Sequence, residues 1–441
     1  MTVYRKTADK SKGIILSYKP GDVKKASPMK RDKSNFFFLN LGHFFDHFLI
    51  LIFATVAVAL AVDRRVDIPG VATEWGLKYS EFIPFATAGF VAFGVFSIPA
   101  AWLADKWSRP GMIAVFFLGM GAGTMLAALA QSPWQLGAAV FLVGMMGAIY
   151  HPVGLAMVVQ GKVNTGVPVA VNGIFGNLGV AAAPLVTLLL IEIYGWRAAF
   201  LIPGAICFVI GIGYALFLRA GPDVEEVSAE KKAAIDAAVL DLDRKTLIRI
   251  FGIIFFTAAI GSFIFQSTTF ALPKIFDERL AGFATSGSEV GMWAFIVFAI
   301  ASIAQLAVGY MVDRYSVRYV FAFVAFTQTV FFALMLNLTG INALIVAVGF
   351  MLVVFGQIPI NDVLVGRVAK SEWRARAFSA RYIITFAVMA TTIPALSYIH
   401  SSWGFTRLFL LMAAGAAIIF CTVLFLPHTR AALKSKETAA D

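Results

Sequence analysis

The sequence predicts an all-α integral membrane protein with about twelve transmembrane helices in two pseudo-symmetric six-helix bundles. Three observations predict this fold. Hydrophobic residues make up 60% of the 441 residues and charged residues only 14%, a composition unlike that of water-soluble domains. Apolar runs near the ~20 residues that a helix needs to cross a bilayer recur along the chain. Several motifs of the first half also return in the second half.

The apolar runs are continuous and do not alternate with polar residues, which favours helices over the strands of a membrane barrel. The mean hydropathy of +0.83 agrees with this interpretation. We predict spans at residues 36–62, 82–105, 112–130, 134–157, 168–193, 197–219, 247–272, 289–312, 319–337, 341–366, 376–398 and 405–426.

The longest polar stretch between these runs divides them six and six. The predicted parts are an N-terminal tail (1–34), a first six-helix bundle (35–219), a linker (220–246), a second six-helix bundle (247–427) and a C-terminal tail (428–441). Within the linker, residues 228–242 have the amphipathic helical spacing of a segment that lies on the cytoplasmic membrane surface.

The formal net charge of +11 follows the predicted topology. Lys and Arg concentrate in the N-terminal tail and in alternate loops, whereas the intervening loops around 131–133 and 338–340 carry no charge. Cytoplasmic loops are the ones enriched in Lys and Arg, so we predict cytoplasmic termini in a multi-pass protein of the cytoplasmic (inner) membrane. The basic surplus therefore predicts a membrane orientation and no nucleic-acid partner.

An acid–base segment marks the same place in both halves. Asp-Lys-Trp-Ser-Arg at 105–109 recurs as Asp-Arg-Tyr-Ser-Val-Arg at 313–318, and Gly-Trp-Arg at 195–197 recurs as Gly-Phe-Thr-Arg at 404–407. An acid at a helix end can bind a nearby base, or the positive end of a helix of the other half, in one conformation and not in another. We therefore predict gating roles for Asp105, Lys106, Arg109, Asp313, Arg314 and Arg318.

Twelve spans in two halves, with the acid–base segment after spans two and eight, resemble the major facilitator superfamily. The resemblance implies a transporter in which spans one, four, seven and ten surround a central cavity. Within the superfamily, the chain is similar to the fosmidomycin-resistance branch of drug exporters. The residues that carry this narrower resemblance are Gly42-His43-Phe-Phe-Asp46-His47, Tyr150-His151-Pro152, the glycines at 173, 176 and 179, Ala183-Pro184 and Gly195-Trp196-Arg197.

Three ionisable residues lie within five positions of the first span. His43 and His47 are four residues apart and Asp46 follows His43 by three, so either can contact His43 on one side of a helix. An ionisable group at membrane depth costs about 3 kcal/mol unless it is paired or hydrated. A carboxylate beside imidazoles can hold a proton near neutral pH, which indicates a proton-coupling site. Alternatively, the three side chains satisfy each other as contacts between helices.

The superfamily resemblance places His151 of span four opposite this cluster, either as a further coupling residue or as a satisfied buried histidine. The second half provides a comparison. When Gly42 is aligned with Gly261, the three ionisable positions are taken by Ser262, Phe265 and Gln266. We therefore expect proton chemistry in the first half and neutral hydrogen bonding in the second.

Further polar residues in the predicted spans are candidates for the coupling or substrate site: Asn172, Asn177, Gln266, Gln357 and Arg381. Arg381 has two interpretations, because its side chain can snorkel to the cytoplasmic surface or project into the cavity as an anion contact. For Asp362 we expect an ion pair with Arg367 or Arg381.

The sequence has no phosphate-binding loop, nucleophile elbow or zinc-protease helix, so we predict neither an enzyme nor a cofactor. The predicted function is alternating-access secondary transport, with proton-coupled export (antiport) of a small organic compound. The alternative is a transition-metal or metal-chelate transporter, because His43, Asp46, His47 and His151 are also ligands of such metals. The expected partners are a small-molecule substrate, the proton and the lipid bilayer, with the protein as a monomer.

Overall fold

The structure is a computed structural model that describes residues 28–68, 71–160, 166–220, 242–369 and 371–427. We number its long helices in chain order. They are α1 (Pro28–Leu60), α2 (Tyr79–Lys106), α3 (Arg109–Ala127), α4 (Pro133–Val159), α5 (Gly166–Tyr194), α6 (Trp196–Arg219), α7 (Arg244–Arg279), α8 (Gly287–Arg314), α9 (Val317–Leu334) and α10 (Gly340–Val368). The last element, Ser371–Val423, is divided at Gly404 into α11 and α12.

Two repeated glycines break the helices at equivalent places. Gly195, between α5 and α6, has φ +82° and ψ 166°, and Gly404 has φ +69° and ψ −179°. Both conformations lie in a region of backbone space that is essentially restricted to glycine. Among the described residues, eleven helices are long and apolar enough to cross a membrane, and the last contains the Gly404 break. This break accounts for the twelve predicted spans and confirms the predicted fold class.

Two helices extend beyond the predicted runs. α1 begins at Pro28, so the end of the predicted N-terminal tail is helical. α7 continues to Arg279, seven residues past the predicted end at 272, because Lys274, Asp277 and Glu278 neutralise each other within the helix. Charged residues lower the local hydropathy and therefore ended the predicted run too early.

Other predicted segments lie outside the described residues. They are the N-terminal tail up to residue 27, the linker helix at 228–242 except for its last residue, and the C-terminal tail at 428–441.

The two halves meet along two seams. Within the first half α1 packs on α5 and α3 packs on α6, and within the second half α8 packs on α10. Between the halves, α5 packs on α8 and α2 packs on α11. A glycine allows the close approach of the helices at each seam. A Cβ on Gly291 of α8 would lie 2.8 Å from the Pro184 carbonyl oxygen of α5, and a Cβ on Gly94 of α2 would lie 3.0 Å from Phe386 Cβ of α11. The polar centre of the bundle lies between these seams.

Candidate functional site

The four predicted ionisable residues of the first half form one group, which we call the His–Asp cluster: His43, Asp46, His47 and His151. The three imidazole ring centroids are 5.0, 5.3 and 5.4 Å apart, and Asp46 Oδ2 lies 3.3 Å from His151 Nε2. The spacing along α1 places the first three side by side. His151 lies in a π turn, Tyr150–Gly154, that widens α4 beside α1.

Asp46 is buried at 0% exposure. Neither of its carboxylate oxygens has a well-aligned hydrogen-bond partner among the residues that the structure describes. Gly147 of α4 leaves room for the carboxylate, because a Cβ there would lie 3.1 Å from Asp46 Oδ1. This carboxyl group can therefore take up a proton, or accept a hydrogen bond from a ligand, with only the 3.3 Å contact from Oδ2 to His151 Nε2 affected.

A hydrogen bond from α1 to α5 sets the orientation of His43. Its Nδ1 lies 2.7 Å from the backbone oxygen of Asn172, which can only accept, so Nδ1 carries the hydrogen and Nε2 is left for the cluster. A Cβ on Gly176 would lie 2.6 Å from this Nε2, so only glycine leaves space for the ring. Asn172 and Gly176 thus fix the position of one imidazole.

The side chain of Asn172 joins three helices. Its amide nitrogen donates to Asn40 Oδ1 at 3.0 Å and to the Tyr150 hydroxyl at 2.9 Å, and Tyr150 donates to the Leu39 carbonyl oxygen at 2.6 Å. Asn172 and Tyr150 therefore hold α1, α4 and α5 together around the cluster. Sequence reasoning named Tyr150 only as part of a motif, and Asn40 not at all. Asn177, also predicted, is buried in α5 outside the cluster.

The same imidazoles meet the first geometric requirement of a metal site. One nitrogen of each lies within 4.8 Å of those of the other two. Nitrogen ligands of a tetrahedral zinc ion, each ~2.0–2.1 Å from the metal, would be about 3.4 Å apart, so the rings would have to move closer together. The bond from His43 Nδ1 to a carbonyl is the kind of outer contact that orients metal-binding histidines.

The second half has neutral polar groups at its equivalent positions. Gln266 of α7 is 1% exposed, and its amide nitrogen has no partner among the described residues. Gln357 of α10 accepts a hydrogen bond from Gln328 Nε2 at 2.7 Å. Ser262 donates back to its own helix at Ala258. These contacts are neutral hydrogen bonds, although the same half also contains the Arg381–Asp362 ion pair.

Equivalent glycines allow a close contact between two helices within each half. A Cβ on Gly42 would lie 2.7 Å from the Tyr150 ring, and a Cβ on Gly261 would lie 2.7 Å from Gln357 Nε2. The α1–α4 and α7–α10 contacts are therefore built alike, with an aromatic side chain in one and an amide in the other.

Arg381 of α11 faces inward and does not snorkel. It is 8% exposed, forms an ion pair with Asp362 of α10, and places its guanidinium carbon 4.4 Å from the Tyr382 ring centre. Tyr382 and Phe386 lie 6.2 and 6.0 Å from the His151 ring. A continuous row of side chains thus connects Asp46 in the first half to Asp362 in the second. Of the two partners predicted for Asp362, the structure selects Arg381.

The predicted gating residues lie at the end of the bundle that carries the acid–base segments, which we call the acid–base end. Asp105 pairs with Arg109 at 2.9 Å, and Asp313 pairs with Arg367 at 3.3 Å, each within one half. Arg314 lies over the Tyr310 ring at 3.7 Å. Arg318 donates to the Leu426 carbonyl oxygen at 3.4 Å, and Lys106 is exposed.

At the opposite end, which carries the 61–78 loop and which we call the loop end, buried charges join the two halves. Lys274 Nζ of α7 lies 2.7 Å from Asp277 Oδ2 and donates to the Asp63 carbonyl oxygen at 2.8 Å. Asp277 Oδ1 accepts the backbone N–H groups of Arg65 and Val66 at 2.8 Å each. Lys274 and Asp277 are both 0% exposed. We call these contacts the loop-end lock.

Further contacts extend the lock and were also missed from the sequence. Glu278 Oε1 lies 2.8 Å from His400 Nε2, and the His400 ring packs edge-on against Tyr79 at 5.4 Å. Ser397 donates to the Ser80 carbonyl oxygen at 2.6 Å. The one available sequence signal was the Lys274, Asp277 and Glu278 spacing, which places opposite charges on one helical face.

The 61–78 loop is held to the first half by the repeated Gly-Trp-Arg segment. Glu74 accepts from Arg197 Nη1 at 2.9 Å and from Trp196 Nε1 at 3.1 Å. Although burial alone would raise it, these donors bring the pKa of the Glu74 carboxyl below its usual value.

Comparison with known proteins decides the family. A family model described as Major Facilitator Superfamily matches residues 36–284 and again 254–441, which together cover most of the chain. The chain belongs to the Major Facilitator Superfamily. Its family and its curated relatives are those of membrane transporters and not of enzymes, as predicted. The narrower resemblance to the fosmidomycin-resistance branch stays a prediction.

The curated relatives are transporters of different compounds. The chain is 32% identical over 165 residues to the probable actinorhodin transporter of Streptomyces coelicolor, an alignment that covers 36% of this chain and 28% of the relative. It is 28% identical over 164 residues to the probable sulfoacetate transporter SauU of Cupriavidus necator, covering 37% and 38%. It is 26% identical over 177 residues to the gentisate transporter of Corynebacterium glutamicum, covering 39% and 37%. The alignments therefore span well under half of each relative.

Solved structures agree with the fold. A POT family transporter in complex with 5-aminolevulinic acid superposes with a TM-score of 0.69 at 13% identity, covering 89% of this chain and 95% of that chain. At this identity the likeness extends to the fold alone.

Proposed function

We propose that this protein is a proton-coupled secondary transporter that exports a small organic compound by alternating access. In this proposal Asp46 carries the coupled proton and His151 exchanges it. The observation that carries the proposal is the buried Asp46 carboxylate, whose oxygens lack well-aligned partners but lie 3.3 Å from an imidazole of another helix. Such a group at membrane depth is costly as a structural element and useful as a proton site.

Alternating access is supported by the different contacts at the two ends. The loop-end lock joins the halves, whereas the ion pairs Asp105–Arg109 and Asp313–Arg367 stay within their halves. Transport would require the lock to open and cross-half contacts to form at the acid–base end. We therefore assign this structure to the state that is closed at the loop end.

The orientation in the membrane follows from the charge of the loops. We propose cytoplasmic termini, the acid–base end on the cytoplasmic side of the inner membrane, and the loop end outside. Reporter fusions after residue 162, within 220–246 and at the C-terminus should then report the cytoplasm, and a fusion after residue 70 should report the outside. A C-terminal fusion on the outside would contradict the proposal.

The proposed coupling can be measured without knowing the natural substrate. Purified protein is reconstituted in liposomes that contain a pH-sensitive dye, and a panel of antibiotics, organic acids and sugar phosphates is added. A substrate should cause proton movement that stops when Asp46 is replaced by Asn. Substrate transport with no proton movement at any imposed pH gradient would rule out coupling to protons.

A second candidate function is transport of a transition-metal ion or its chelate, which the three converging imidazoles favour. Binding to the native state raises stability, so added Fe²⁺, Mn²⁺ or Zn²⁺ should stabilise the protein in detergent only under this second function. His428→Gln is the matched control, because His428 is not one of the four residues that define the His–Asp cluster.

A further inference from the structure

We propose that the substrate is a small, flat organic anion that also carries a hydroxyl or amine donor. Its carboxylate or sulfonate would bind Arg381, and its donor would bind Asp46. This inference rests on the proposed function, because it names the substrate class of the same central site.

The first observation is an unfilled donor on Arg381. The side chain is only 9% exposed, one terminal nitrogen faces Asp362, and the buried Nε has no partner among the described residues. A guanidinium only donates hydrogen bonds, in a planar fork that matches two oxygens of one anionic group. A carboxylate or sulfonate is therefore the group that completes the contacts of Arg381.

The second observation is the unequal exposure of the Arg381–Asp362 pair. The Asp362 side chain is 36% exposed, against 9% for Arg381. Asp362 compensates the buried guanidinium charge in the structure described here, which avoids the cost of an isolated charge. Being better exposed, Asp362 is also the partner that can turn away when a substrate anion approaches. The ion pair thus compensates the charge of Arg381 until a substrate anion replaces Asp362.

The third observation is the acceptor at the other end of the same row of side chains, Asp46, whose Oδ2 lies 3.3 Å from His151 Nε2. Both oxygens of Asp46 lack a well-aligned partner in the described part of the chain. A carboxylate only accepts hydrogen bonds, so it selects a ligand group that donates. In our proposal one molecule carries both the anion and the donor and contacts α11 and α1 together.

The wall between these ends is aromatic. Tyr382 and Phe386 stack at 5.7 Å with their planes 19° apart, and Phe93 of the other half meets Phe386 edge-on at 5.1 Å. His151 lies against both aromatic rings of α11. Stacked rings favour a planar ligand body. The geometry points to a hydroxylated aromatic acid as the simplest member of the class.

Three matched compounds test the proposal by their effect on the thermal stability of the purified protein. These are 3-hydroxybenzoate, benzoate without the donor, and 3-hydroxybenzamide without the charge. We expect stabilisation to decrease in that order. The double variant Arg381→Gln/Asp362→Asn, which leaves no lone charge, should lose the preference for the acid over the amide by about tenfold or more. Asp46→Asn should lose only the preference for the hydroxyl group.

The control double variant is Arg367→Gln/Asp313→Asn, which removes an ion pair of the same kind at the acid–base end and should keep both preferences. Equal stabilisation by acid and amide, or preferences that survive the Arg381 double variant, would overturn the proposal. So would the absence of stabilisation by every carboxylate and sulfonate of a wider panel at millimolar concentration. Binding needs no proton gradient, so the two proposals can fail separately. If the wild-type protein prefers the acid and the hydroxyl group but does not transport substrate against a gradient, the proposed proton coupling is refuted and the proposed substrate class is retained.

Discussion

Asp46 of α1 and His151 of α4 face each other across 3.3 Å, and His151 also touches the aromatic residues of α11. One imidazole therefore contacts both the proposed proton site and the opposite half of the protein. A change in the protonation of Asp46 alters the charge beside a histidine that contacts both halves. This arrangement is the basis of the first prediction.

Asp46→Asn should abolish uphill, pH-driven transport and retain energy-independent counterflow of substrate. Counterflow needs only the movement of a loaded carrier, whereas accumulation needs a proton to be taken up and released. Both are measured in proteoliposomes, with Glu81→Gln as the control that removes an exposed acid with no proposed role. Full uphill transport by Asp46→Asn would move the coupling site elsewhere.

Opening of the loop-end lock should be favoured when its charges are removed together. In Lys274→Met/Asp277→Leu no lone charge remains buried, yet the contacts to Asp63, Arg65 and Val66 are lost. We expect faster thiol labelling of cysteines placed on the cavity side of α2 and α11. Asp277→Asn alone should destabilise the protein by about 3–5 kcal/mol, because it removes the closer acidic partner of the buried Lys274 and leaves only Glu278, at 3.7 Å. Unchanged labelling in the double variant would remove the gating role.

Asp105→Asn should slow transport and leave substrate affinity nearly unchanged. Its exposed pair with Arg109 contributes only about 0.3–0.5 kcal/mol to stability, so the effect should appear in the conformational equilibrium. Substrate affinity from thermal shifts and labelling of cavity cysteines measure the two quantities separately. A large loss of affinity with unchanged labelling would show that Asp105 is no gate.

Gly404→Ala should destabilise the protein by about 1–3 kcal/mol, because alanine is strained at φ +69° and ψ −179°. Gly195→Ala should have a similar effect. Gly213→Ala is the control, since Gly213 lies within α6 and a Cβ there meets no atom within 4 Å. The control should be neutral or slightly stabilising. Equal melting temperatures for all three variants would contradict the strain argument.

The Glu74–Arg197 contact should make the loop end sensitive to acid. The pKa of Glu74 is lowered in the folded protein, so its contribution to stability is full above the usual carboxyl pKa. That contribution is lost as pH falls through the lowered value. Glu74→Gln should therefore lower the melting temperature at neutral pH and flatten its decrease with acid. The pH profiles of variant and wild type provide the measurement.

The sequence was most informative where hydropathy and repetition decide the structure. Long apolar runs identified the twelve spans, and the repeat of Gly195 at Gly404 located the break that separates α11 from α12. Helical spacing also brought His43, Asp46 and His47 together, because it depends on local geometry alone. Their meeting with His151 required the family resemblance, since contacts between distant helices cannot be obtained from spacing.

Charges inside apolar helices were harder to predict. Lys274 and Asp277 reduce hydropathy in the same way as loop residues, yet their mutual pairing lets them be fully buried. The inward orientation of Arg381 depends on Asp362, which belongs to another helix, and on the ring of the next residue, Tyr382. Tertiary partners, not composition, determine whether such a residue is buried.

The π turn that contains His151 has a consequence for how α4 can move. A π turn holds one residue more than an α turn, and that extra residue can pass along a helix by exchanging one backbone hydrogen bond for another. Each step rotates the residue it passes by about 100° around the helix axis. The imidazole of His151 could thus be swung away from Asp46 by a twist within one helix, with little loss of backbone bonding. We therefore expect that a shift of this π turn would turn the His151 ring while the other helices of its bundle stay in place.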